Sequence, residues 1–472
     1  MESLVKTPYR RTRSLALRAP SSLLAVMLIA ATCTGCDPGQ FDARKQRESA
    51  PSADATIDAG RAATREASMP KPERDAETRP GSTLDGGAER RTDAAVTDAA
   101  RASDGGGDKG GLADGSTCVA PRPGQTLPLA VVAGSARVIA RVQNPRGVVA
   151  REVTAIKPHG SKLLWTLMIT PDAGMTQADA GVDLPSRYAS VARTPLNGPW
   201  NNPSGPPAAP ESLTLDEHLG PSGLPTPLIP LDLQPAPGSE LSQMGLLVKA
   251  TTATLYLKQY YAFASVAVFV GSLQPADFAL QSKPTALFHA DQKQPMFGTG
   301  AFARMGELYA FGCQYDASSQ YAYPCWMGRA PDQTPDDSAA YEAYRGSPPA
   351  EQGFTHMLDQ GTPLFSGSDR MTLSFNKHLG LWLAVTSGGG DKDEGVAYLR
   401  SAPQPEGPWS DPVAVPLPRT PGGLTVFFVA EHPDLAQNCG QRLLLSYLEP
   451  TSMFVLGQQF LGNIALATLD LQ

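Results

Sequence analysis

The residues best suited to acid and base chemistry stand at the ends of short apolar segments. Glu431 and His432 follow the apolar run 426–429, a position that partly desolvates a carboxyl group and raises its pKa. A glutamate in that state can act as a general acid or base. The alternative is a structural hydrogen-bonding pair that turns the chain towards Pro433.

A second pair, Asp369 and Arg370, precedes another apolar segment and could present a carboxylate and a guanidinium to a sugar or an anionic group. The alternative is an ion pair on an exposed loop. Further polar residues close to segments of this kind are Asp291, Arg304, Ser374 and Asn376. We predict that the ligand-binding or catalytic site is drawn from Glu431, His432, Asp369, Arg370, Ser374 and Asn376.

Other chemistries lack their sequence patterns. There is no Gly-x-Ser-x-Gly nucleophile motif, and no two cysteines outside the N-terminal region have zinc-ligand spacing. The acidic segment 388–394 lacks the regular spacing of a calcium loop and is typical of a hairpin tip. The net charge of −7 gives no basic footprint for nucleic acid. The sequence therefore predicts no metal, no cofactor and no nucleic-acid partner.

The cysteines indicate an oxidising compartment. Cys118, Cys313, Cys325 and Cys439 lie outside the N-terminal region, and an even number in an exported protein predicts two disulfides with three alternative pairings. We favour Cys313 with Cys325, because segments 309–313 and 323–327 have the pattern of two hairpin strands. Elimination then pairs Cys118 with Cys439.

The N-terminus has the pattern of an export signal. Basic residues precede the apolar run 23–31, which is too short to span a membrane. Gly35 directly before Cys36 resembles the bacterial lipobox, so residues 1–35 are predicted to be a lipoprotein signal peptide and Cys36 the lipidated residue. Cys33 stands where leucine is usual, and cleavage without lipidation is the alternative. We expect a protein lipid-anchored in the bacterial cell envelope, at the outer membrane or cell surface.

Two regions follow the signal. Residues 36–117 contain the lipidated cysteine and a segment rich in Ala, Asp, Gly and Arg, which buries too little apolar surface to offset its chain entropy. We predict a disordered tether there. Residues 118–472 are predicted to form the folded domain.

The folded region repeats itself. Arg-x-Pro segments at 193–195 and 329–331, with a related one at 400–403, follow strand-like runs that a proline would end. Turn glycines precede apolar segments at Gly160, Gly306, Gly380 and Gly440. The pattern repeats as strand, tight turn, strand, loop and strand, in about five units. With 44 prolines and 45 glycines and no long amphipathic helix, the sequence predicts an all-β fold, a five-bladed β-propeller. A β-sandwich would use fewer strands.

The segment 371–412 contains Ser374-Phe-Asn-Lys-His-Leu-Gly380, Arg400-Ser-Ala-Pro403 and Glu406-Gly-Pro-Trp409, and Glu431-His-Pro-Asp-Leu435 follows. Over residues 297–470 the chain resembles a bacterial domain-of-unknown-function family of secreted five-bladed propellers related to arabinanase-type glycoside hydrolases. That resemblance implies a carbohydrate ligand, since some members hydrolyse bacterial arabinans.

The same resemblance predicts an acidic motif at the end of an early apolar strand. The corresponding segment here, 163–172, lacks it, and Asp172 stands in a turn-like sequence. Glycoside hydrolysis ordinarily needs two carboxyl groups flanking one bond. We therefore expect a membrane-anchored propeller that binds a glycan or another envelope component without catalysis. The alternatives are a glycoside hydrolase acting on a polysaccharide and a protein-interaction scaffold.

Overall fold

The structure is a computed structural model. It describes residues 126–472 except for 146, 173–186, 203–206, 208, 221–222, 230–238, 249–252, 262–263, 275–278, 282, 291–293, 315–322, 347–352, 369, 388–394, 420–425 and 451–461. The predicted signal peptide, the lipidation site Cys36, the tether and Cys118 lie outside the described residues. Asp291 and Asp369 also lie outside them.

The described residues form β-strands joined by loops and short 3-10 helices. In chain order the strands are β1 (Arg137–Val142), β2 (Val148–His159), β3 (Lys162–Pro171), β4 (Tyr188–Pro195), β5 (Glu211–Leu213), β6 (Asp216–Glu217), β7 (Ser239–Val248), β8 (Ala253–Tyr261), β9 (Ala264–Leu273), β10 (Thr285–His289), β11 (Gly300–Arg304), β12 (Glu307–Cys313), β13 (Tyr323–Pro331), β14 (Glu342–Tyr344), β15 (Phe354–Thr355), β16 (Phe365–Gly367), β17 (Met371–Asn376), β18 (Leu381–Ser387), β19 (Val396–Ala402), β20 (Val413–Pro416), β21 (Phe427–Glu431), β22 (Arg442–Pro450) and β23 (Gly462–Asp470).

The short 3-10 helices lie at Pro199–Asn201, Ser338–Ala340, Leu358–Gln360, Pro433–Leu435 and Asn438–Gly440. Within the described part of the chain, no helix is long and apolar enough to cross a membrane.

The strands form five separate sheets, which we number as blades in chain order. From the innermost strand outwards the first four are β2-β3-β4-β6, β7-β8-β9-β10, β11-β12-β13-β14-β15 with β16 also on β13, and β17-β18-β19-β20. The fifth blade is β21-β22-β23-β1-β5. The innermost strands contact one another in a closed circle, β2 to β7, β11, β17, β21 and back to β2. The chain is therefore a five-bladed β-propeller, as the sequence repeats predicted.

The ring closes through pairing of the two ends of the folded region. β1 lies antiparallel to β23, with Arg137 opposite Thr468 and Val142 opposite Ile464. The fifth blade thus combines the last strands of the chain with its first, so that opening the ring would break a complete ladder. This closure is a common way to remove exposed sheet edges in all-β proteins.

The sequence repeats fall at equivalent positions of the blades. Gly160, Gly306 and Gly380 adopt positive φ in the turns that lead from the innermost strand to the second strand. The Arg-x-Pro segments at 193–195 and 329–331 end the third strand of the first and third blades. Apolar side chains from facing blades form the core, and Trp165 of the first blade packs in one cluster with Leu466 of the fifth.

The third blade carries the predicted disulfide. Cys313 on β12 lies directly opposite Cys325 on β13, and the two are joined by a disulfide bond. This pairing and the hairpin on which it was based are confirmed. Cys439 is also disulfide-bonded, and its partner lies outside the described residues. Its pairing with Cys118 stays a prediction.

Candidate functional site

A buried carboxylate with two guanidinium partners lies among the innermost strands. Glu152, on β2, accepts hydrogen bonds from the guanidinium groups of Arg370 and Arg187. The side chains of Glu152 and Arg370 are only 4% and 8% exposed, whereas that of Arg187 is 30% exposed. We call Glu152, Arg187, Arg370 and the neighbouring Phe428 the axial cluster.

The axial cluster joins blades that are not neighbours. Arg370 directly precedes β17 of the fourth blade, while Glu152 lies on β2 of the first blade, and the fifth blade stands between them in the ring. Arg370 Nη1 also donates to the Val153 carbonyl at 3.5 Å. The ion pair therefore crosses the interior of the ring of innermost strands. Arg370 Nε has no hydrogen-bond partner among the residues that the structure describes.

Phe428 supplies the aromatic part of the cluster. The Arg370 guanidinium carbon lies 4.4 Å from the centroid of the Phe428 ring, and that of Arg187 lies 6.0 Å from it. Phe428 adopts φ 57°, a left-handed conformation that bulky residues rarely take, beside an irregularity of the β21–β22 ladder. The strained backbone places the ring beneath both guanidinium groups, where cation–π attraction adds to the ion pairs.

Glu431 belongs to a second buried group, formed with Ser374 between β21 and β17. It ends β21 and is 4% exposed, and its Oε2 accepts a hydrogen bond from Ser374 Oγ on β17 at 2.9 Å. Burial raises the pKa of Glu431 to about 7, against the smaller lowering effect of the Ser374 hydrogen bond. The sequence predicted this raised pKa from the preceding apolar run, and the structure confirms it.

His432 faces another strand. Its Nε2 and Ser446 Oγ on β22 share a 2.7 Å hydrogen bond. Burial lowers the pKa of His432 to about 3, so that the ring is neutral at physiological pH. Lys157 and Asp434, an ion pair at 2.6 Å, act electrostatically on both Glu431 and His432. Glu431 and His432 are thus neighbours in sequence whose side chains have separate partners.

The two shifted groups give opposite pH effects. Between about pH 4.5 and pH 7 the folded protein holds the Glu431 proton that the unfolded chain releases, so stability falls as pH rises through that range. Between about pH 3 and pH 6.5 the unfolded chain protonates His432 while the folded protein does not, so stability rises with pH there.

We expect Glu431→Gln to remove only the first effect. Relative to this variant, the free energy of unfolding of the parent should fall by about 3 kcal/mol between pH 4.5 and pH 7, since the pKa is raised from 4.5 to about 7. Urea unfolding across this pH series measures the difference. A constant difference would contradict the raised pKa.

Two further residues singled out from the sequence, Asn376 and Arg304, lie at the ends of innermost strands. Both functional ends of the Asn376 amide are used within the protein, since Nδ2 donates to the Gly440 carbonyl and Oδ1 accepts from the Leu379 amide, each at 2.9 Å. Arg304 is the last residue of β11, and its Nε has no hydrogen-bond partner among the described residues. The structure thus brings Glu431 to Ser374, but gives Arg370 a different carboxylate, Glu152.

Sequence reasoning missed Glu152 and Arg187. The resemblance placed an acidic residue on the early apolar segment 163–172, but that segment corresponds to β3, the second strand of the first blade. The innermost strand is β2, which carries Glu152. The signal was present: β2 precedes Gly160 as other innermost strands precede their turn glycines.

The two buried carboxyl groups, Glu152 and Glu431, are each engaged by protein side chains. Glu152 is held by Arg370 and Arg187, whereas Glu431 is held by Ser374, so the two carboxyl groups have no hydrogen-bond partner in common. Neither side chain is more than 4% exposed. No group of three or more His, Cys, Asp or Glu residues in the described ranges is placed to hold a metal ion.

Comparisons with known proteins identify no family. No family model matches the chain, and no curated protein matches it. Among solved structures, the GH43 β-xylosidase/α-arabinofuranosidase CoXyl43 from a compost microbial metagenome is 16% identical, with a TM-score of 0.38 over 69% of this chain and 95% of that chain.

Two further solved structures are similar to the same degree. RS223 β-xylosidase is 13% identical, with a TM-score of 0.42 over 70% of this chain and 98% of that chain. The catalytic domain of the Coprinopsis cinerea GH62 α-L-arabinofuranosidase is 9% identical, with a TM-score of 0.38 over 71% of this chain and 98% of that chain. Because these values are low, the propeller assignment rests on the five sheets and the closed circle of innermost strands.

Proposed function

We propose that this protein is an exported, lipid-anchored propeller of the bacterial cell envelope that binds a glycan at the axial cluster without cleaving it. One observation carries the proposal: the buried carboxylate Glu152 is already neutralised across the ring by Arg370 and Arg187. Each oxygen of Glu152 is held by a guanidinium group and its side chain is only 4% exposed, so it does not face a substrate in this structure. Glu431 is also buried and is hydrogen-bonded to Ser374.

The accessible parts of the cluster suit a sugar. Arg187 is 30% exposed, Phe428 is half-buried, and the Arg187 guanidinium carbon lies 6.0 Å from the centroid of the Phe428 ring. A guanidinium and an aromatic ring are therefore partly accessible side by side. A sugar can stack its C–H face on an aromatic ring while its hydroxyls accept from a guanidinium. The carbohydrate class itself follows from the resemblance of residues 297–470 to arabinanase-related propellers.

The binding test uses affinity electrophoresis of the mature chain in gels that contain arabinan, galactan or peptidoglycan fragments. We expect one of these polymers to retard the parent, and Phe428→Ala to weaken the retardation several-fold because it removes the stacking surface. The same incubations without electrophoresis should yield no oligosaccharide products. A parent that no polymer retards would exclude the glycan-binding role.

A glycoside hydrolase is the second candidate, and the raised pKa of Glu431 favours it. With its pKa raised to about 7, Glu431 keeps a proton near neutral pH, as a general acid must. This activity would need the Glu431 side chain to become exposed and a second carboxylate to approach it. Loss of product formation in Glu431→Gln would identify it.

The anchor has its own test. The Cys313–Cys325 disulfide supports export, since disulfides persist in oxidising compartments. We expect Cys36→Ala to abolish metabolic labelling with a fatty-acid probe, because the thiol that receives the lipid is gone. Cys33→Ala is the matched control and should label like the parent. Equal labelling of the Cys36 variant would contradict lipidation at this residue.

A further inference from the structure

An exposed aromatic ring stands at the far end of the fourth blade from the axial cluster. Phe375, near the end of β17, is 42% exposed, and it is the only aromatic residue among the exposed large hydrophobics of the described chain. Along β17 it lies five residues beyond Arg370, roughly 17 Å at the rise of a strand. Phe375 therefore presents a second surface, separate from the axial cluster.

Phe375 begins a continuous row of rings that crosses from the fourth blade to the third. Its centroid lies 5.8 Å from that of Trp382, which lies 4.6 Å from that of Phe302. Phe302 in turn stacks on Tyr309 at 5.0 Å with only 4° between the ring planes. We call Phe375, Trp382, Phe302 and Tyr309 the aromatic row. Its buried members fix the orientation of the exposed one.

Met305 lies three residues beyond Phe302 of the aromatic row, at the adjoining hairpin tip. It lies in the tight turn between β11 and β12, adopts φ 53° and is 61% exposed. Hairpin turns with positive φ at both central residues favour Asn, Asp or Gly, and methionine is strained there. The turn therefore presents an apolar side chain at an exposed tip, where a ligand can reach it.

Polar groups border the aromatic row. Arg329 pairs with Glu342 at 2.8 Å and with Glu307 at 3.6 Å, and Tyr309 Oη donates to Glu307 at 3.0 Å. Burial raises the pKa of the nearby Glu406 carboxyl, against the lowering effect of Arg304 and Arg329. These groups offer both donors and acceptors at the edge of the rings.

Three buried atoms in this part of the molecule have no hydrogen-bond partner within the described residues. They are two potential donors, Arg304 Nε and Trp409 Nε1, and one potential acceptor, Glu406 Oε2. Buried polar atoms ordinarily find partners in the protein or in water. The accessible polar groups at the edge of the row are the partly exposed Arg329, Glu307 and Glu342, a mixed set of donors and acceptors that hydroxyl groups match because they both donate and accept.

From these observations we infer that Phe375 and Met305, backed by the aromatic row, form a second glycan-binding surface for a neutral polysaccharide. The inference rests on the proposed glycan ligand, but it assigns a site outside the axial cluster. One exposed ring offers a contact area of about one sugar unit, which is far smaller than the roughly 800 Å² that each partner buries in a stable protein interface.

The charges around the row decide against an anionic ligand. Arg304, Arg329 and Lys377 are balanced by Glu307, Glu342 and Glu406. A surface for an anionic polymer or an anionic membrane would carry an excess of cations instead. A neutral polysaccharide fits the combination of one exposed ring, an exposed apolar tip and balanced polar groups.

The test is affinity electrophoresis of the full mature chain in gels containing neutral arabinan, galactan or xylan, or acidic polygalacturonate. We expect Phe375→Ala and Met305→Asn each to weaken retardation by the neutral polymer about tenfold, through loss of stacking and apolar contact. Met305→Asn should also raise the urea midpoint, because asparagine tolerates the left-handed turn. A gain of stability with a loss of binding excludes misfolding as the cause.

Met357→Asn is the matched control, because Met357 is 60% exposed and lies outside the row, and it should bind like the parent. If the parent is retarded and both row variants bind within twofold of it, this inference is overturned and the axial proposal stands. Stronger retardation by polygalacturonate, or binding to phosphatidylglycerol vesicles in place of neutral polymer, overturns it as well. If no polymer retards the parent, the proposed function fails with it.

Discussion

Glu152→Ala is expected to lower the free energy of unfolding by about 3–5 kcal/mol, the largest effect of any single charge removal considered. The variant leaves Arg370, whose side chain is 8% exposed, buried without its carboxylate. A buried unpaired charge has lost both its solvation by water and its partner. Urea unfolding of the parent and variant at the same pH measures the loss.

Two comparisons separate the buried pair from ordinary surface charge. Arg187→Ala should lose at most about 1 kcal/mol, because Arg187 is 30% exposed and Glu152 keeps Arg370. The double variant Glu152→Met with Arg370→Met should recover much of the lost stability, since hydrophobic residues can replace a buried ion pair. A loss below about 1 kcal/mol in Glu152→Ala would show that the pair is not buried as described.

The second large effect concerns the Cys313–Cys325 disulfide. Replacing both cysteines by serine should lower the free energy of unfolding by about 3 kcal/mol, because the bond closes a short loop and so restricts the unfolded chain. The double variant is preferable to a reducing agent, which would also open the disulfide of Cys439. Denaturant unfolding measures the change.

Peptide mapping without reduction supplies the control for that prediction. It should recover Cys313 linked to Cys325, as their directly opposed positions on β12 and β13 require. A linkage of Cys313 to Cys118 or Cys439 would contradict the hairpin. An unchanged unfolding midpoint in the double serine variant would show that the bond adds no constraint to the unfolded chain.

The architecture could be predicted from the sequence because its signals are local. Gly306 and Gly380 adopt positive φ in turns directly before a strand, a conformation that glycine takes readily. Pro195 is the last residue of its strand, because proline cannot donate to the ladder. The turn glycine recurs in four of the five blades, and the second blade has a strand-like segment without it, so the spacing of these segments predicted the number of blades. The raised pKa of Glu431 was predictable for the same reason, since the apolar run beside it is local.

The axial cluster could not be predicted in this way. Glu152 and Arg370 are 218 positions apart, and they meet only because the ring brings the first and fourth blades to a common centre. The left-handed conformation of Phe428 has no sequence signal, because the irregularity beside it is a feature of the pairing between β21 and β22, which are separated in the chain. The aromatic row has the same character, since Phe302 and Trp382 belong to different blades.

The measurement that tests the central claim most directly is product analysis by mass spectrometry after the mature chain is incubated with arabinan, galactan and peptidoglycan fragments. Because Glu152 is neutralised by two guanidinium groups and Glu431 is buried against Ser374, the account predicts retention of the polymer with no oligosaccharide release above that of heat-denatured protein. Release that disappears in Glu431→Gln or Asp369→Asn would contradict it and establish a hydrolase.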